Sequence, residues 1–114
     1  MDLVSIIIPN YNREVLVAET VQNMLDQDYP NKEILVIDDG STDGSVARLK
    51  EFGDAIKVVS QKNQGPGAAR NNGLRIAKGK FIQFMDNDDL ASKNKISSQM
   101  ECLHRNKADA VYSP

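Results

Sequence analysis

An acidic segment behind an apolar run is the part of this sequence with the clearest chemistry. The run Phe81–Met85 suits a buried strand, and Asp86, Asp88 and Asp89 follow it directly. In an extended backbone, side chains two residues apart point to the same face, so Asp86 and Asp88 should lie side by side. Neighbouring carboxylates repel each other unless a cation separates them, and Mg²⁺ or Mn²⁺ prefers such hard oxygen ligands and also binds phosphate. The segment therefore predicts a divalent metal site, the alternative being a polar turn that caps the next helix.

Two earlier loops, Pro9–Asn12 and Asp38–Asp43, carry residues suited to a nucleotide. Tyr11 offers an aromatic face for a flat base. Asp38 can accept a hydrogen bond from a ring N–H, which favours a uracil-like edge. Arg70, in a later helix, can reach ribose or phosphate oxygens with its planar guanidinium. Together with the acidic segment, these residues predict a nucleotide-diphosphate site.

Each of these residues also has a purely structural interpretation. Tyr11 can pack on the first helix, and Arg70 can pair with a surface acid. Asp39 and Asp43 are most simply a turn residue and a cap residue, so we assign them no ligand contact.

Hydrophobic periodicity predicts the elements that position these loops. Apolar, β-branched runs predict five strands, at 3–8, 33–37, 56–60, 81–85 and 110–112. Helices with one apolar face are predicted between them, the third opened by Pro66. Pro9 is predicted to end the first strand, and Asn12 is predicted to cap the first helix.

The alternation of strands and helices predicts an α/β fold. We expect a doubly wound, mostly parallel, Rossmann-like sheet with helices on both faces. Ligands of such sheets bind beyond the carboxyl ends of the strands, where the strand order reverses. The three polar loops all leave strands at that edge, so they should converge.

Composition limits the class of protein. The 114 residues predict one domain over 1–114, and a net charge of -2 without a basic stripe argues against a nucleic-acid partner. No apolar run approaches the ~20 residues of a membrane span. A single cysteine, Cys102, cannot form an internal disulfide, which favours a cytoplasmic location.

Two other nucleotide-binding motifs are not met. The sequence holds no Gly-x-x-x-x-Gly-Lys-[Ser/Thr], so a P-loop hydrolase is not indicated. Gly65-Pro66-Gly67-Ala68-Ala69-Arg70 lacks the third glycine of the dinucleotide fingerprint and follows the third strand instead of the first. A hydride-transfer enzyme is therefore not indicated either.

Four stretches in order resemble the N-terminal, nucleotide-sugar-binding half of a family 2 glycosyltransferase of the GT-A fold. They are Val4–Asn12, Glu33–Ser45, Gly65–Gly73 and Phe81–Leu90, and they are distributed from residue 4 to residue 90 of the 114. The resemblance implies transfer of a sugar from a nucleotide-diphosphate donor, most often UDP-linked, with inversion at the anomeric carbon and a divalent metal, Mn²⁺ or Mg²⁺.

The resemblance also implies roles for individual residues. Pro9 and Tyr11 match the loop that holds the base, and Asp38 matches the acid that binds its ring nitrogen. Arg70 matches the arginine near the donor diphosphate. Asp86-Asn87-Asp88 matches the family's Asp-x-Asp, with Asp88 as the direct metal ligand and Asp86 near the ribose and metal.

Family members have roughly twice this length, and the remainder supplies the acceptor contacts and the carboxylate general base. We therefore expect the base beyond Pro114 and assign no catalytic residue within the chain. The 114 residues alone should bind donor but transfer poorly, and bared apolar surface should favour a homo-oligomer. The acceptor would be a glycan or a lipid-linked acceptor. The sequence leaves open whether the parent protein reaches the inner face of the membrane through parts beyond Pro114.

Two other classes share the predicted architecture. A phosphate-accepting, flavodoxin-like regulatory domain would carry its acid pair after the first strand, where this chain has Pro9-Asn10-Tyr11. A nucleotidyltransferase would carry a glycine-rich, basic loop at the same place. Loop content therefore favours the glycosyltransferase interpretation over both, although the fold alone would not separate them.

Overall fold

The computed structural model describes residues 1–86 and 91–106, with side chains as far as Leu103. Strands and helices alternate along these residues, as the sequence predicts. The elements are β1 (Val4–Asn10), α1 (Glu14–Leu25), β2 (Lys32–Asp38), α2 (Ser45–Lys50), a 3-10 turn (Gly53–Ala55), β3 (Lys57–Ser60), α3 (Pro66–Ile76), β4 (Phe81–Phe84) and α4 (Lys95–Asn106).

The four described strands form one parallel sheet in the order β3-β2-β1-β4. β1 is central, pairing with β2 from Val4↔Lys32 to Asn10↔Asp38 and with β4 from Val4↔Phe81 to Ile7↔Phe84. The chain thus moves outward from β1 to β3 and then returns across the sheet to β4. The point where strand order reverses lies between β1 and β4.

This strand order places the helices on opposite faces. Parallel crossovers are right-handed, so α1 and α2, which move in one direction across the sheet, lie on one face, and α3, which moves back, lies on the other. The two cores agree with this arrangement. Even-numbered residues of β1 pack with α1, α2 and α4, whereas Ile7 packs with Ala69 of α3. The predicted α/β, doubly wound class is confirmed.

The larger core lies under α1, α2 and α4. Helical spacing predicts Val17, Val21, Met24 and Leu25 for the inner face of α1, and of these only Leu25 is partly exposed. Ile6 and Ile8 of β1 are 0% exposed. Each such aliphatic side chain stabilises the fold by about 1.5–3 kcal/mol relative to an exposed one. The core residues are Val4, Ile6, Ile8, Val17, Val21, Met24, Tyr29, Ile34, Val36, Leu49, Ile56, Met85, Ile96, Met100 and Leu103.

α3 packs on the other face through small residues. Ala69 and Gly73 are buried against β1 and β2. A Cβ built on Gly73 would lie 2.6 Å from Cγ2 of Ile7, which is closer than carbon atoms can approach. The helix therefore lies near enough to the sheet to hold its N-terminal turn, and Arg70 with it, above the strand ends.

The prediction that Pro9 ends the first strand is wrong. β1 continues through Pro9 to Asn10, and Pro9 is in register with Ile37. Even-numbered residues of β1 bond toward β2 and odd-numbered ones toward β4, as Val4 N to Asn31 O and Met85 N to Ile7 O illustrate. The missing N–H of Pro9 therefore faces the β4 side, past the last paired residue of β4.

β4 is less buried than its composition predicts. Phe81 packs on the larger core, but Ile82 and Phe84 are 37% and 41% exposed. Their register partners, Ser5 and Ile7, place them on the α3 face, where α3 lies over β1 and β2. The predicted fifth strand, 110–112, lies outside the described residues. None of the helices in the described ranges has the length and apolarity needed to cross a membrane.

Candidate functional site

The carboxyl ends of β1, β2 and β4 bring the predicted loops to one edge of the sheet. Asn10 and Asp38 end neighbouring strands in register, and Asp86 lies two residues beyond the end of β4. Arg70, in the second turn of α3, contacts Asp86. α3 lies on the face of the sheet opposite to α1. The convergence expected of Pro9–Asn12, Asp38–Asp43 and Asp86 is therefore present in the described residues, whereas Asp88 and Asp89 lie outside them.

Asp38 is enclosed in a polar network. It is 1% exposed, and its Oδ1 accepts from Asn10 Nδ2 at 3.0 Å and from the Ser41 hydroxyl at 2.6 Å. Its Oδ2 accepts from the Ser41 amide at 2.9 Å. A direct contact between Asp38 and a base stays a prediction, and in this conformation both carboxylate oxygens already serve protein donors.

Asp39 holds the loop that precedes α3. Its Oδ1 accepts from Gln61 Nε2 and the Gln64 amide, each at 2.8 Å, and its Oδ2 accepts from the Gly65 amide at 2.9 Å. Burial alone would raise the pKa of this carboxyl, but the three hydrogen bonds outweigh it and the pKa is lowered. Asp39 is predicted only as a turn residue, because nothing in the sequence pairs it with a loop more than twenty residues away.

Tyr11 lies directly after β1, at the solvent-exposed side of the carboxyl edge of the sheet. It is 47% exposed and lies between Asn10, which is 2% exposed, and Asn12. Pro9, one strand position earlier, is only partly buried. About half of the Tyr11 side chain is thus open to a ligand, which favours the predicted stacking role over packing on α1.

Asn12 does not cap α1 as predicted. Its φ is 51°, a left-handed conformation that asparagine tolerates better than most residues. Its Oδ1 instead accepts from the amides of Thr42 at 2.7 Å and Asp43 at 3.2 Å, so it caps the neighbouring loop. The start of α1 is bonded by Asp43 instead, whose Oδ2 accepts from the Glu14 amide at 3.3 Å.

Arg70 and Asp86 form an ion pair at the exposed end of the site. Arg70 Nη2 lies 3.1 Å from Asp86 Oδ1, and the side chains are 38% and 56% exposed. Exposed pairs of this kind are worth about 0–1 kcal/mol, so a ligand can displace the contact at little cost. Arg70 thus pairs with a surface acid, as the structural interpretation predicts. Because this acid is Asp86, a predicted metal ligand, the same contact also places Arg70 at the predicted site.

The described residues supply one exposed carboxylate to the predicted metal site, Asp86. Within 1–86 and 91–106 no three histidine, cysteine, aspartate or glutamate side chains are grouped so that they could hold a metal. Asp88, the other predicted ligand, lies outside these ranges. The hard oxygen of Asp86 fits Mg²⁺ or Mn²⁺, and the pair of ligands stays a prediction.

Comparison with known proteins decides the family. A family model described as "Glycosyl transferase family 2" matches residues 5–114. The chain belongs to glycosyltransferase family 2. This membership confirms the resemblance inferred from the four motifs, and it decides against the regulatory-domain and nucleotidyltransferase alternatives.

Curated relatives of this glycosyltransferase chain are longer than the chain itself. It is 38% identical over 112 residues to the Escherichia coli UDP-Glc:alpha-D-GlcNAc-diphosphoundecaprenol beta-1,3-glucosyltransferase WfgD, covering 96% of this chain and 44% of WfgD. It is 39% identical over 105 residues to the Bacillus subtilis putative teichuronic acid biosynthesis glycosyltransferase TuaG, covering 89% and 42%. The chain thus spans less than half the length of either relative.

Solved structures confirm the GT-A architecture. S. aureus TarS in complex with UDP-GlcNAc superposes with a TM-score of 0.86 at 31% identity, over 94% of this chain and 32% of that one. The Pyrobaculum calidifontis mannosyltransferase PcManGT, in complex with GDP-Man and Mn²⁺, superposes with a TM-score of 0.83 at 29% identity, over 88% and 32%. The family 2 domain described here thus matches glycosyltransferases solved with different nucleotide-sugars.

Proposed function

We propose that this domain binds a nucleotide-diphospho-sugar, a UDP-sugar first of all, for inverting transfer to an acceptor hydroxyl. The observation that carries the proposal is the convergence of Tyr11, Arg70 and Asp86 at the strand-order reversal. The half-exposed Tyr11 ring would stack on the base, with Pro9 beside it. Arg70 would contact the diphosphate with its guanidinium.

Asp86 and Asp88 would hold a divalent cation against the diphosphate. When bound, the ion would neutralise phosphate charge and so stabilise the leaving nucleotide. The complex of PcManGT with GDP-Man and Mn²⁺ supports this combination of donor and metal. The complex of TarS with UDP-GlcNAc favours UDP as the nucleotide. The complex of PcManGT with GDP-Man makes GDP the first alternative.

The acceptor contacts and the general base are part of this proposal and are assigned beyond these 114 residues. Inversion requires a carboxylate that removes the acceptor proton on the face opposite the leaving group, and we place this base outside residues 1–114. The acceptor named for WfgD is a lipid-linked sugar, which supports a glycan or lipid-linked acceptor here. Such an acceptor would locate the full-length enzyme on the inner membrane surface.

Calorimetric titration of UDP into the chain, with and without Mn²⁺, tests the donor proposal. We expect binding that requires the metal and is lost in Asp88→Ala. Tyr11→Ala should weaken binding by about 1–3 kcal/mol, the usual value of aromatic stacking on a base. Asp54→Ala, which removes an exposed acid from the 3-10 turn, is the control and should bind as the wild type does.

The titration is repeated with GDP and dTDP, and with Mg²⁺ in place of Mn²⁺. Binding of GDP or dTDP instead of UDP would keep the site and change the donor. No binding of any of the three nucleotides with either metal would contradict the proposed function of this chain.

A further inference from the structure

The hydrogen bonds around Tyr11 connect two loops that are far apart in sequence. Asn12 N donates to Ser41 Oγ at 2.9 Å, and Asn12 Oδ1 accepts from the Thr42 amide at 2.7 Å. On the other side of Tyr11, Asn10 Nδ2 donates to Asp38 Oδ1 at 3.0 Å and lies 3.4 Å from Ser41 Oγ. Asn10 and Asn12, the two neighbours of Tyr11, are therefore both hydrogen-bonded to the segment Asp38–Thr42 at the end of β2.

Ser41 is the centre of this network. Its hydroxyl donates to Asp38 Oδ1 at 2.6 Å while it accepts from Asn12 N and Asn10 Nδ2. A serine hydroxyl offers one donor and two acceptor positions, so all of its hydrogen-bonding capacity is used. The network rests on Asp38, which is 1% exposed, and it connects this buried carboxylate to the backbone beside Tyr11.

The backbone at Asn12 requires this support. A non-glycine residue at φ 51° is strained unless its surroundings hold it, and Asn12 is the one non-glycine residue with positive φ among those described. Its side chain and its amide are both bonded to the Ser41–Asp43 segment. The left-handed turn reverses the chain directly after Tyr11, leaving the ring half exposed while both flanking residues are held.

We infer that Ser41 and Asn12 are positioning residues, which fix the Tyr11 ring in the orientation that receives the nucleotide base. The inference rests on the proposed donor site and adds to it. Neither residue contacts the nucleotide; each acts through Tyr11. A ring held in place before binding loses less conformational freedom when the base stacks on it, so affinity depends on the network.

A double-mutant cycle between Ser41 and Tyr11 tests the inference, with UDP affinity in the presence of Mn²⁺ as the readout. Ser41→Ala should weaken UDP about tenfold, the effect of roughly one lost hydrogen bond. Ser41→Thr, which keeps the hydroxyl, should restore most of the affinity. In the Tyr11→Ala background, Ser41→Ala should cause little further loss, because the ring through which it acts is gone.

Base-free ligand and a neighbouring hydroxyl provide the controls. Ser41→Ala should leave the affinity for pyrophosphate with Mn²⁺ unchanged, whereas general damage to the site would weaken both ligands. Thr42→Val removes the next side-chain hydroxyl but keeps the amide that bonds Asn12, and it should bind UDP as the wild type does. Asn12→Gly keeps the left-handed backbone and removes the acceptor, so it is the second test variant if Ser41→Ala does not fold.

The outcomes separate this inference from the proposed function. If the wild type binds no nucleotide, both are overturned. If the wild type binds UDP but Ser41→Ala or Asn12→Gly binds it equally well, the inference alone is overturned. It is overturned equally if the losses from Ser41→Ala and Tyr11→Ala simply add, since additivity would mean that the two residues act independently.

Discussion

Arg70 forms an ion pair with Asp86, a predicted metal ligand. Its guanidinium lies 3.1 Å from Asp86, where it supplies the positive charge that a cation would otherwise provide. The pair is exposed and weak, so in the proposed site Arg70 would turn to a diphosphate when a metal neutralised Asp86. One side chain would then serve two anions in sequence, and the free state would avoid an uncompensated carboxylate at the site.

Replacement of Arg70 should affect metal and nucleotide in opposite directions. In Arg70→Ala we expect Mn²⁺ affinity, measured without nucleotide, to rise by up to about fivefold, because a competing cation worth at most about 1 kcal/mol is removed. UDP affinity in saturating Mn²⁺ should fall. Arg75→Ala, later in the same helix, is the matched control for both titrations. A lower Mn²⁺ affinity in Arg70→Ala would rule out competition between the two cations.

The Asp39 carboxylate makes the stability of the fold depend on pH. Its pKa is lowered in the folded state by hydrogen bonds from Gln61, Gln64 and Gly65, which outweigh the effect of burial. The folded protein therefore binds this proton less readily than the unfolded chain does. The stabilisation is fully present above the unfolded pKa of about 3.9, and it is lost as pH falls through the lower folded pKa.

Urea unfolding at pH 7, 5 and 3 checks this dependence. We expect Asp39→Asn to be less stable than the wild type at pH 7 by about 1–3 kcal/mol, since an amide cannot accept from all three donors. The difference should shrink at pH 3. Asp54→Asn, at an exposed position, should follow the wild-type curve. A constant gap between Asp39→Asn and wild type at every pH would show that the Asp39 charge is not responsible.

At the scale of elements, two features position α3: small residues that pack on the sheet and the hydrogen-bonded loop that precedes its first turn. Gly73 allows contact with Ile7, and the loop before the helix is held by Asp39 through Gly65. The position of the helix in turn sets where Arg70 meets Asp86. Packing on the sheet and geometry at the ligand edge are therefore coupled through one rigid helix.

Two glycine-to-alanine changes in α3 separate packing from helix propensity. Gly73→Ala should destabilise the fold by about 1–3 kcal/mol, because its Cβ would lie 2.6 Å from Ile7 Cγ2 and must displace the helix or the side chain. Gly67→Ala has open space at the new Cβ and should be neutral or stabilising by up to about 1 kcal/mol. Thermal and urea unfolding measure both, and equal effects would argue against close helix–sheet contact.

The sequence predicted elements well and contacts between loops poorly. Val17, Val21 and Met24 are the buried face of α1 because helical spacing determines which residues share a side. The role of Asn12 was missed because its partners, Thr42 and Asp43, become neighbours only when β1 pairs with β2. Pro9 and β4 were misjudged for a related reason, since strand order decides which backbone groups and faces need a partner.

At the scale of the whole molecule, the chain corresponds to less than half the length of the relatives WfgD and TuaG. The chain covers 44% of WfgD and 32% of the TarS chain, and the expectation that the acceptor contacts and the general base lie beyond Pro114 stays a prediction. The partly open face of β4, with Ile82 and Phe84, lies on the same sheet as the site. The 114 residues predict the family because all four motifs fall within them, whereas the acceptor could be predicted only as a class, a glycan or lipid-linked acceptor, since no motif for its recognition falls within them.

The central place of β1 also bears on the order in which the protein forms during synthesis. As the chain leaves the ribosome, β1, β2 and β3 can pair before Phe81–Phe84 has emerged. The loops around Tyr11 and Ser41 are complete at that stage. Arg70 gains its partner only when β4 joins the open edge of β1. A stalled nascent chain would therefore hold the loops around Tyr11 and Ser41 without the acidic segment, and its unpaired β1 edge would be a target for chaperones.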